Sequence, residues 1–371
     1  MIFWRRGKIV DVLGTWGKTG EYQVLLEDGN KARALAYFPL VGQPQLQEEV
    51  LLSSAAVERG LGTGGYLFII AIPARLPADT PTAPGHIVKA RYTPLQYMVQ
   101  GVDEQESPYY EELKDADSIM GMPVIAADLH SALPAIVLGI KEKQPTARIA
   151  YIMSDGGALP VWFSQILWQL QNKGDIIGTI SCGQAFGGDL EAVNIYSALL
   201  AARLVWKADF TIVTQGPGNL GTGTRWGFSG TQIGEALNAA GILAGIPISV
   251  LRMSSGDKRE RHRGISHHSM QVLQRIVTTP CRVPVPAWAD LIAGNSGFRI
   301  PSDIEKKLEQ QIRELEKYPQ LQVATVSTVG LGELLSSSPY PLRTMGRDFT
   351  ADPLSFLAAA AAGRYAAELY R

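Results

Sequence analysis

The chain has 371 residues, of which 46% are hydrophobic and 19% charged, and its formal net charge is −1. This near-neutral charge excludes a global positive field that would attract nucleic acid or an anionic membrane surface. The two cysteines are too few for a disulfide framework, and no apolar run reaches the length of a membrane span. We therefore expect a cytoplasmic protein of two domains, without a nucleic-acid or membrane partner. The low charge content leaves room for a homo-oligomer interface.

The first part of the chain, residues 1–75, predicts a small β-barrel-like domain. Short runs of strand-forming residues are separated by turn signals, among them Asp28-Gly29, which favours a tight hairpin. The predicted strands span 8–13, 21–26, 32–37, 49–52 and 66–70. The glycine-rich turn from Gly60 to Gly65 has two interpretations: a tight corner of the barrel, or a flap that touches a ligand held by the larger domain.

Residues 76–106 indicate a proline-rich linker and an extended segment, and residues 107–371 an α/β domain. In the latter, apolar runs alternate with amphipathic helical segments. This alternation predicts a Rossmann-like wound, mostly parallel sheet with helices on both faces. The apolar runs are 124–127, 149–153, 176–180, 210–214, 248–252 and 282–285. The intervening helices are predicted at 131–141, 160–173, 189–206, 229–244 and 267–279.

Polar residues predict where several helices begin. Asp189 is placed to cap the helix over 189–206, and Ser229 with Gln232 forms a capping box for the next helix. Ser302 with Glu305 forms a similar pair. Asp352-Pro353 opens an alanine-rich helix, which we interpret as a packing or dimer element.

The glycine-rich segment 216–224 is the most distinctive loop of the sequence. It joins the predicted strand 210–214 to a helix, and its four glycines leave the backbone open to a ligand. A strand, such a loop and a helix start together favour an anion or a phosphorylated metabolite. The predicted ligand-binding residues of this loop are Gly216, Gly218, Asn219, Gly221, Thr222 and Gly223.

Other polar loops follow the remaining strands and should meet at the same edge, because ligands bind outside the carboxyl ends of parallel strands. Gly156, Gly157 and Gly183 are the ligand-binding candidates that follow two of these strands. A basic cluster follows a third. It is interpreted either as a solvated loop or as an arginine claw for phosphate or carboxylate. The candidates in this cluster are Arg259, Arg261, Arg263 and His267.

The residues predicted to be catalytic are His130, Asp155, Cys182, Asp189 and His262. Asp128 would lie on the same strand face as His130 and could orient it for general-base work. Cys182 has two interpretations, an activated nucleophile or a buried structural thiol.

The sequence lacks the signatures of common cofactor sites. Asp128 and His130 could hold a divalent metal with Asp155 or Asp189, but without a tight spacing motif we predict no metal. The glycine fingerprint of dinucleotide-binding domains is missing after the first strand, which leaves the cofactor unknown.

Several motifs together resemble an uncharacterised bacterial domain-of-unknown-function family over nearly the whole chain. They are the segments 60–66, 154–160, 182–189, 216–219 and 259–264. The resemblance implies a bacterial origin and brings no established activity.

Two functional hypotheses follow from the residues. The first is an enzyme acting on a small anionic, phosphorylated or nucleotide-like metabolite. The second is a non-catalytic sensor whose β domain closes over such a ligand. A scaffold with a merely packed sheet edge is the third interpretation.

Overall fold

The computed structural model describes residues 2–61, 64–79, 84–157, 159–287, 290 and 300–370. The chain forms two compact units, one of residues 1–100 with 162–168 and one of residues 101–161 with 169–371. The first contains a closed five-stranded barrel and the second an eight-stranded parallel sheet with helices, so the predicted fold class is confirmed. The boundaries predicted for the two domains and the linker stay a prediction. Gly62, Thr63 and Ala158, which belong to predicted motifs, lie outside the described residues.

The barrel of the first unit closes in the strand order β1-β2-β3-β5-β4. Its strands are β1 (Trp4–Trp16), β2 (Thr19–Leu26), β3 (Lys31–Tyr37), β4 (Glu49–Ser53) and β5 (Leu67–Ala71). Single-turn helices α1 (Phe38–Val41) and α2 (Ala55–Glu58) flank β4, and β6 (Ile87–Lys89) pairs with β7 (Tyr97–Val99). Alternate side chains fill the interior because successive residues of a strand point to opposite faces. Fully buried examples are Ile9, Tyr22, Val24, Val50 and Leu52.

Residues 162–168 belong to the first unit through Trp162. Its carbonyl oxygen accepts hydrogen bonds from Trp16 Nε1 at 2.9 Å and Thr19 Oγ1 at 2.7 Å. Its ring meets Tyr97 edge-on, with centroids 5.7 Å apart. The β1–β2 end of the barrel therefore binds a backbone segment from a distant part of the sequence.

The sheet of the second unit has the order β11-β10-β9-β12-β8-β13-β16-β17, and all of its neighbouring strands are parallel. Its strands are β8 (Pro123–Ala127), β9 (Ile149–Ser154), β10 (Gly178–Cys182), β11 (Leu190–Ala192), β12 (Phe210–Gln215), β13 (Ile246–Val250), β16 (Cys281–Pro286) and β17 (Leu321–Val326). The central strands are buried on both faces, which explains their uninterrupted apolar sequence. Two small ladders lie outside the sheet: β14 (Met253–Ser254) with β15 (Gly264–Ile265), and β18 (Arg343–Thr344) with β19 (Arg347–Asp348).

Helices cover this sheet. They are α3 (Tyr110–Leu113), α4 (Leu133–Lys143), α5 (Gln165–Asn172), α6 (Ile195–Leu200), α7 (Thr231–Ile242), α8 (His267–Arg275), α9 (Ser302–Leu315), α10 (Leu331–Ser336) and α11 (Pro353–Leu369). A π-helical turn, Ala201–Val205, continues α6. Within the described parts of the chain, no helix is both long and apolar enough to cross a membrane.

The alanine-rich helix α11 is a packing element of this core. A Cβ atom built on Gly139 of α4 would lie 2.1 Å from the carbonyl oxygen of Ala360. One built on Gly363 would lie 2.2 Å from the carbonyl oxygen of Ile136. The two helices therefore touch backbone to backbone. A dimer role for α11 stays a prediction.

Three predicted helix starts are wrong. Residues 190–192 form the short strand β11, and the helix begins only after Asn194, whose Oδ1 accepts from the N–H of Tyr196 at 2.9 Å. Ser229 does not cap α7, because its Oγ accepts from the N–H of Leu220 and the N-cap is Gly230. Ser302 is the first residue of α9, and its N-cap, Pro301, has no side-chain donor or acceptor to offer.

The sheet changes winding direction between β8 and β12. The chain leaves β8 through α4 and crosses to β9 on one side, whereas it leaves β12 through α7 and crosses to β13 on the other. Right-handed crossovers in opposite directions place α4 and α7 on opposite faces. The carboxyl ends of these two adjacent strands therefore border a crevice, which is the usual ligand position in wound sheets.

Candidate functional site

Asp128 and Gln215 meet at this crevice. Asp128 directly follows β8, and Gln215 is the last residue of β12. The Gln215 amide Nε2 donates to the Asp128 backbone carbonyl at 2.9 Å and to its Oδ1 at 3.0 Å. Asn219 Nδ2, from the glycine-rich loop, donates to the same Oδ1 at 2.9 Å. The loops after the two strands are thus joined at the point where the sheet changes direction.

The second carboxylate oxygen of Asp128 faces basic side chains. Arg252 Nη1 lies 3.0 Å from Oδ2, and His268 Nδ1 lies 3.5 Å from it. Burial of the carboxyl group raises its pKa, but His268 and Arg252 lower it by more, so that the net pKa is below its ordinary value. Asp128 is therefore ionised.

The amino end of α7 lies against the same carboxylate. A Cβ atom on its N-cap, Gly230, would lie 2.2 Å from Asp128 Oδ1. The positive end of a helix dipole stabilises a nearby anion. Here that anion is a carboxylate of the protein itself.

The first backbone N–H groups of α7 are already bonded. Those of Thr231, Gln232 and Ile233 donate to the carbonyl groups of Phe228, Ser229 and Gly230, respectively. The glycine-rich loop ahead of them folds on itself as a small hairpin, in which the N–H of Thr222 donates to the Gly227 carbonyl at 2.7 Å. Gly221, Thr222 and Gly223 form its exposed tip, and Gly216 is buried at its base. This differs from the predicted phosphate cradle, which needs free N–H groups at the helix start.

Four buried side-chain atoms around the crevice have no hydrogen-bond partner among the described residues. They are Ser154 Oγ, Gln215 Oε1, Gln232 Oε1 and His267 Nε2. Ser154 and Gln215 are 6% and 1% exposed, and they are register partners on β9 and β12. Buried polar atoms are nearly always bonded to protein or water, so such a group needs an explanation.

Glycines bring the loops after β9 and β10 against this group. A Cβ atom on Gly156 would lie 2.6 Å from Gln215 Oε1. Gly183 adopts φ +65°, and a Cβ atom on it would lie 2.6 Å from the Asp155 Cβ. Gln232 Nε2 donates to the Asp155 carbonyl at 2.8 Å. The structure thus brings together Asp155, Gly156, Gly183 and Asn219, all predicted site residues.

His130 has different partners from those predicted. Its Nδ1 lies 3.1 Å from Tyr151 Oη and 3.3 Å from Thr214 Oγ1. Burial lowers its pKa to about 4, so the ring is neutral at pH 7. The expected pairing with Asp128 is wrong, because β8 ends at Ala127 and His130 begins a 3₁₀ turn.

Two other predicted catalytic residues lie at opposite ends of β10. Cys182 ends the strand, is buried, and has its Sγ 3.5 Å from the Met153 carbonyl. Asp189 Oδ2 accepts from the N–H of Thr179 at 2.8 Å and from its hydroxyl at 2.9 Å, near the start of the strand. The structure therefore places Asp189 at the amino edge of the sheet, away from the crevice.

Three histidines cluster beside Arg252. The His262 ring centroid lies 5.1 Å from that of His267 and 5.2 Å from that of His268. Its Nδ1 bonds to Ser266 Oγ at 2.8 Å. Burial, together with nearby Arg252 and Arg259, lowers the pKa of His262 to about 3. Burial and the neighbouring His268 lower that of His267 to about 4.

The arginines of the basic cluster do not form a common claw. Arg259 makes two bonds of 3.0 Å to the Asp257 carboxylate. Arg263 lies 3.2 Å from Asp303. Arg261 is exposed, its Nε lies 3.4 Å from His262 Nε2, and it forms no ion pair with the described residues. Of the three predicted arginines, it alone keeps an unpaired charge.

Asp128 also lines a pocket. It has an empty volume of about 340 Å³, including its part open to solvent, and its polar lining includes Asp128, Ser131, Arg252, Thr344 and Ser355. Across the described residues, no group of three or more His, Cys, Asp or Glu side chains is placed to hold a metal ion.

Sequence reasoning missed Gln215 and Gln232 as site residues. Gln215 is a polar residue at the end of an apolar strand, directly before a glycine. This position is the signal that could have identified it. The sequence pattern indicates Gln232 only as part of a capping box.

Comparison with known proteins gives a family and no assigned activity. The model of a family described as protein of unknown function (DUF3866) matches residues 33–363. No curated protein matches the sequence. Among solved structures, the alanine racemase from Oenococcus oeni is similar over 54% of this chain and 40% of its own, with 12% identity and a TM-score of 0.18. The chain thus covers less than half of that structure, and so low a TM-score does not establish a shared fold.

Proposed function

We propose that this chain, which belongs to the DUF3866 family, binds a small anionic metabolite at the carboxyl edge of its parallel sheet. One observation carries the proposal. Four buried polar atoms without a partner in the described structure belong to the last residues of β9 and β12 and to the first turns of α7 and α8. An unbonded buried polar group is costly in the free protein, and functional sites are where proteins retain such costs.

Arg261 supports the anionic character of the ligand. Its guanidinium is exposed and not ion-paired with the described residues, and it lies beside His262, which in turn adjoins His267. Arginine binds phosphate and carboxylate groups through its planar fork of donors. We keep a phosphorylated or nucleotide-like metabolite as the ligand class, with Arg261 rather than Arg259 or Arg263 as the main charged contact.

The bonding of the titratable groups favours binding without catalysis. Asp128, His130 and His262 already bond to other side chains of the protein. An enzymatic role is the second candidate, and His267 supports it. Its Nε2 has no bonding partner in the described structure, so this ring nitrogen is available to bond a ligand atom. Closure of the β domain over the ligand, a cytoplasmic location, a bacterial origin and homo-oligomer formation stay predictions.

Thermal unfolding in the presence of anions tests the proposal. We expect ribose 5-phosphate, AMP or inorganic phosphate to raise the melting temperature of the wild type, because a ligand that binds only the native state stabilises it. Arg261→Gln should lose this shift while its unliganded melting temperature stays nearly the same.

Arg313→Gln is the matched control. This exposed arginine lies on α9 and contacts only Glu309 at 3.8 Å among the described ion pairs. Its variant should keep the ligand-induced shift. Absence of a shift with every anion, or an equal shift in the Arg261 variant, would contradict the anionic assignment.

A further inference from the structure

The orientation of two glutamine amides at the crevice is fixed by their neighbours. Gln215 Nε2 donates to the carbonyl oxygen and to Oδ1 of Asp128. Gln232 Nε2 donates to the Asp155 carbonyl oxygen. These partners can only accept hydrogen bonds, so rotating either amide by 180° would set oxygen against oxygen. The two unbonded atoms, Gln215 Oε1 and Gln232 Oε1, are therefore acceptors.

Asp128 is a positioning residue for Gln215. Arg252, His268 and Asn219 hold its carboxylate in place, and that carboxylate in turn orients the Gln215 amide. The lowered pKa of Asp128 keeps it an acceptor at neutral pH. The direction in which Gln215 Oε1 points thus depends on a network that reaches Arg252, which follows β13, and His268 of α8.

Ser154 completes a group of three. It lies beside Gln215 in the register of β9 and β12, and neighbouring strands are about 4.8 Å apart. Gly156 lies against Gln215 Oε1, and the following Gly157 is exposed. Asp155 follows the strand directly, and the next two residues, Gly156 and Gly157, have no side chains. We call Ser154 Oγ, Gln215 Oε1 and Gln232 Oε1 the acceptor group.

We propose that the acceptor group binds hydroxyl or amine hydrogens of the ligand, as in the polyol or sugar part of a phosphorylated metabolite. This rests on the proposed function and specifies the ligand further. Two carbonyl oxygens repel a phosphate oxygen, whereas a hydroxyl or amine hydrogen satisfies them. The ligand then has two unlike ends, a negative group at Arg261 and a donor-bearing part at the acceptor group.

A matched pair of serine variants tests whether the acceptor group is unbonded in the free protein. Ser154 and Ser254 are both buried, at 6% and 4% exposure. Ser254 Oγ donates to Asp352 at 2.6 Å and accepts from the N–H of Asp257 at 3.0 Å. Ser254→Ala should lower the melting temperature of the unliganded protein by about 3 °C or more, whereas Ser154→Ala should leave it unchanged or raise it. An equal loss in both variants would show that Ser154 is already bonded, for example to an internal water, and would overturn the proposal.

Binding of three probes completes the test. Calorimetric titration of ribose, ribose 5-phosphate and inorganic phosphate should show that Ser154→Ala weakens the two ribose compounds by about threefold to tenfold, the effect of one lost hydrogen bond. Phosphate affinity should stay the same. Ribose 5-phosphate binding that is unaltered in the variant would overturn the acceptor group and leave the anion proposal intact. Binding of ribose without binding of phosphate would overturn the anion proposal and leave the acceptor group intact. If no probe binds to the wild type, both proposals are overturned.

Discussion

Two polar clusters at the same edge of the sheet contrast with each other. In the first cluster, Asp352, the N-cap of α11, accepts from two residues that follow β13: Ser254 Oγ at 2.6 Å and the N–H of Ser255 at 3.0 Å. It also accepts from Arg347 Nε at 3.0 Å. At the crevice, the acceptor group has no partner among the described residues. Both clusters include a buried serine, Ser254 in the first and Ser154 in the second. Burial of polar groups alone therefore does not distinguish a candidate ligand site, and the proposal depends on unsatisfied bonding capacity at the carboxyl edge of the sheet.

The paired cluster holds the shape of its loop without a ligand. Asp257 bonds to Arg259 and, at 3.2 Å, to Arg347, which also binds Asp352. Burial raises the pKa of Asp257, but its hydrogen bonds to Arg259 and the charges of Arg259 and Arg347 lower it by more. The net pKa of Asp257 therefore lies well below its ordinary range. This network explains why Arg259, predicted as a ligand contact, has its guanidinium bonded within the protein.

The largest expected effect comes from breaking the paired cluster. Asp352→Ala removes a fully buried carboxylate and leaves Arg347 and two serines with fewer partners. We expect the free energy of unfolding to fall by about 3–5 kcal/mol, as for a buried ion pair that loses one member. Urea unfolding measures this change. Asp348→Ala, at an exposed position of the adjacent ladder, is the control and should lose about 1 kcal/mol or less. Equal losses would contradict the contrast between the clusters.

Acid should act first on the histidines and only later on the paired carboxylates. His130 and His262 have folded-state pKa values of about 4 and about 3, below the unfolded value of 6.5. Between pH 6.5 and 4 the unfolded chain therefore binds protons that the folded chain does not. The stability that the neutral histidines contribute is fully present above pH 6.5 and is lost as the pH drops through this window. Of the free energy of unfolding lost by pH 4, His130 alone accounts for about 3 kcal/mol.

Urea unfolding from pH 7.5 to pH 4 tests this expectation. His130→Gln should show a shallower decline than the wild type across the window, whatever its stability at pH 7.5. A wild-type stability that stays constant down to pH 5 would contradict the prediction that these rings are neutral and buried.

The smallest effect should follow from adding a methyl group at the crevice. Gly156→Ala places a Cβ atom 2.6 Å from Gln215 Oε1 and 2.7 Å from its Cβ, and the Gln215 side chain must shift. We expect a loss of about 1–2 kcal/mol, typical of overpacking, and weaker binding of ribose 5-phosphate.

Gly157→Ala is the control for this variant, because a Cβ atom there would meet no atom within 4 Å. Its free energy of unfolding, measured by urea, should stay within about 0.5 kcal/mol of the wild type. Equal effects of the two alanines on ribose 5-phosphate binding would argue against a role of Gln215 in the site.

The fold could be predicted because its signals are local. Uninterrupted apolar runs such as 149–153 and 210–214 indicate strands buried on both faces, and the structure confirms them. The sequence predicts a helix from Asp189 because Leu190 and Val193 match helical spacing, and this prediction is wrong. Tertiary contacts instead make 190–192 an edge strand beside β10. A three-residue strand has too few positions to show a period of two.

The candidate site was less predictable, because its character depends on pairing between distant residues. The sequence places Arg259 and Arg261 two positions apart in one basic run, and nothing local distinguishes them. Asp257 neutralises the first and leaves the second free of an ion pair with the described residues. Likewise, the short spacing of Asp128 and His130 predicts that they pair, whereas Asp128 bonds to Arg252, 124 residues away.

The position of α11 in the chain has a consequence for biosynthesis. This helix is buried among β13, β16 and α4, yet its residues leave the ribosome after every strand of the sheet has been made. Until they emerge, the backbone of α4 at Gly139 and Ile136 is not covered by this helix. The α/β unit is therefore expected to complete its packing only once α11 has been synthesised, whereas the barrel strands β1 to β5 are synthesised early enough to pair while the rest of the chain is still being made.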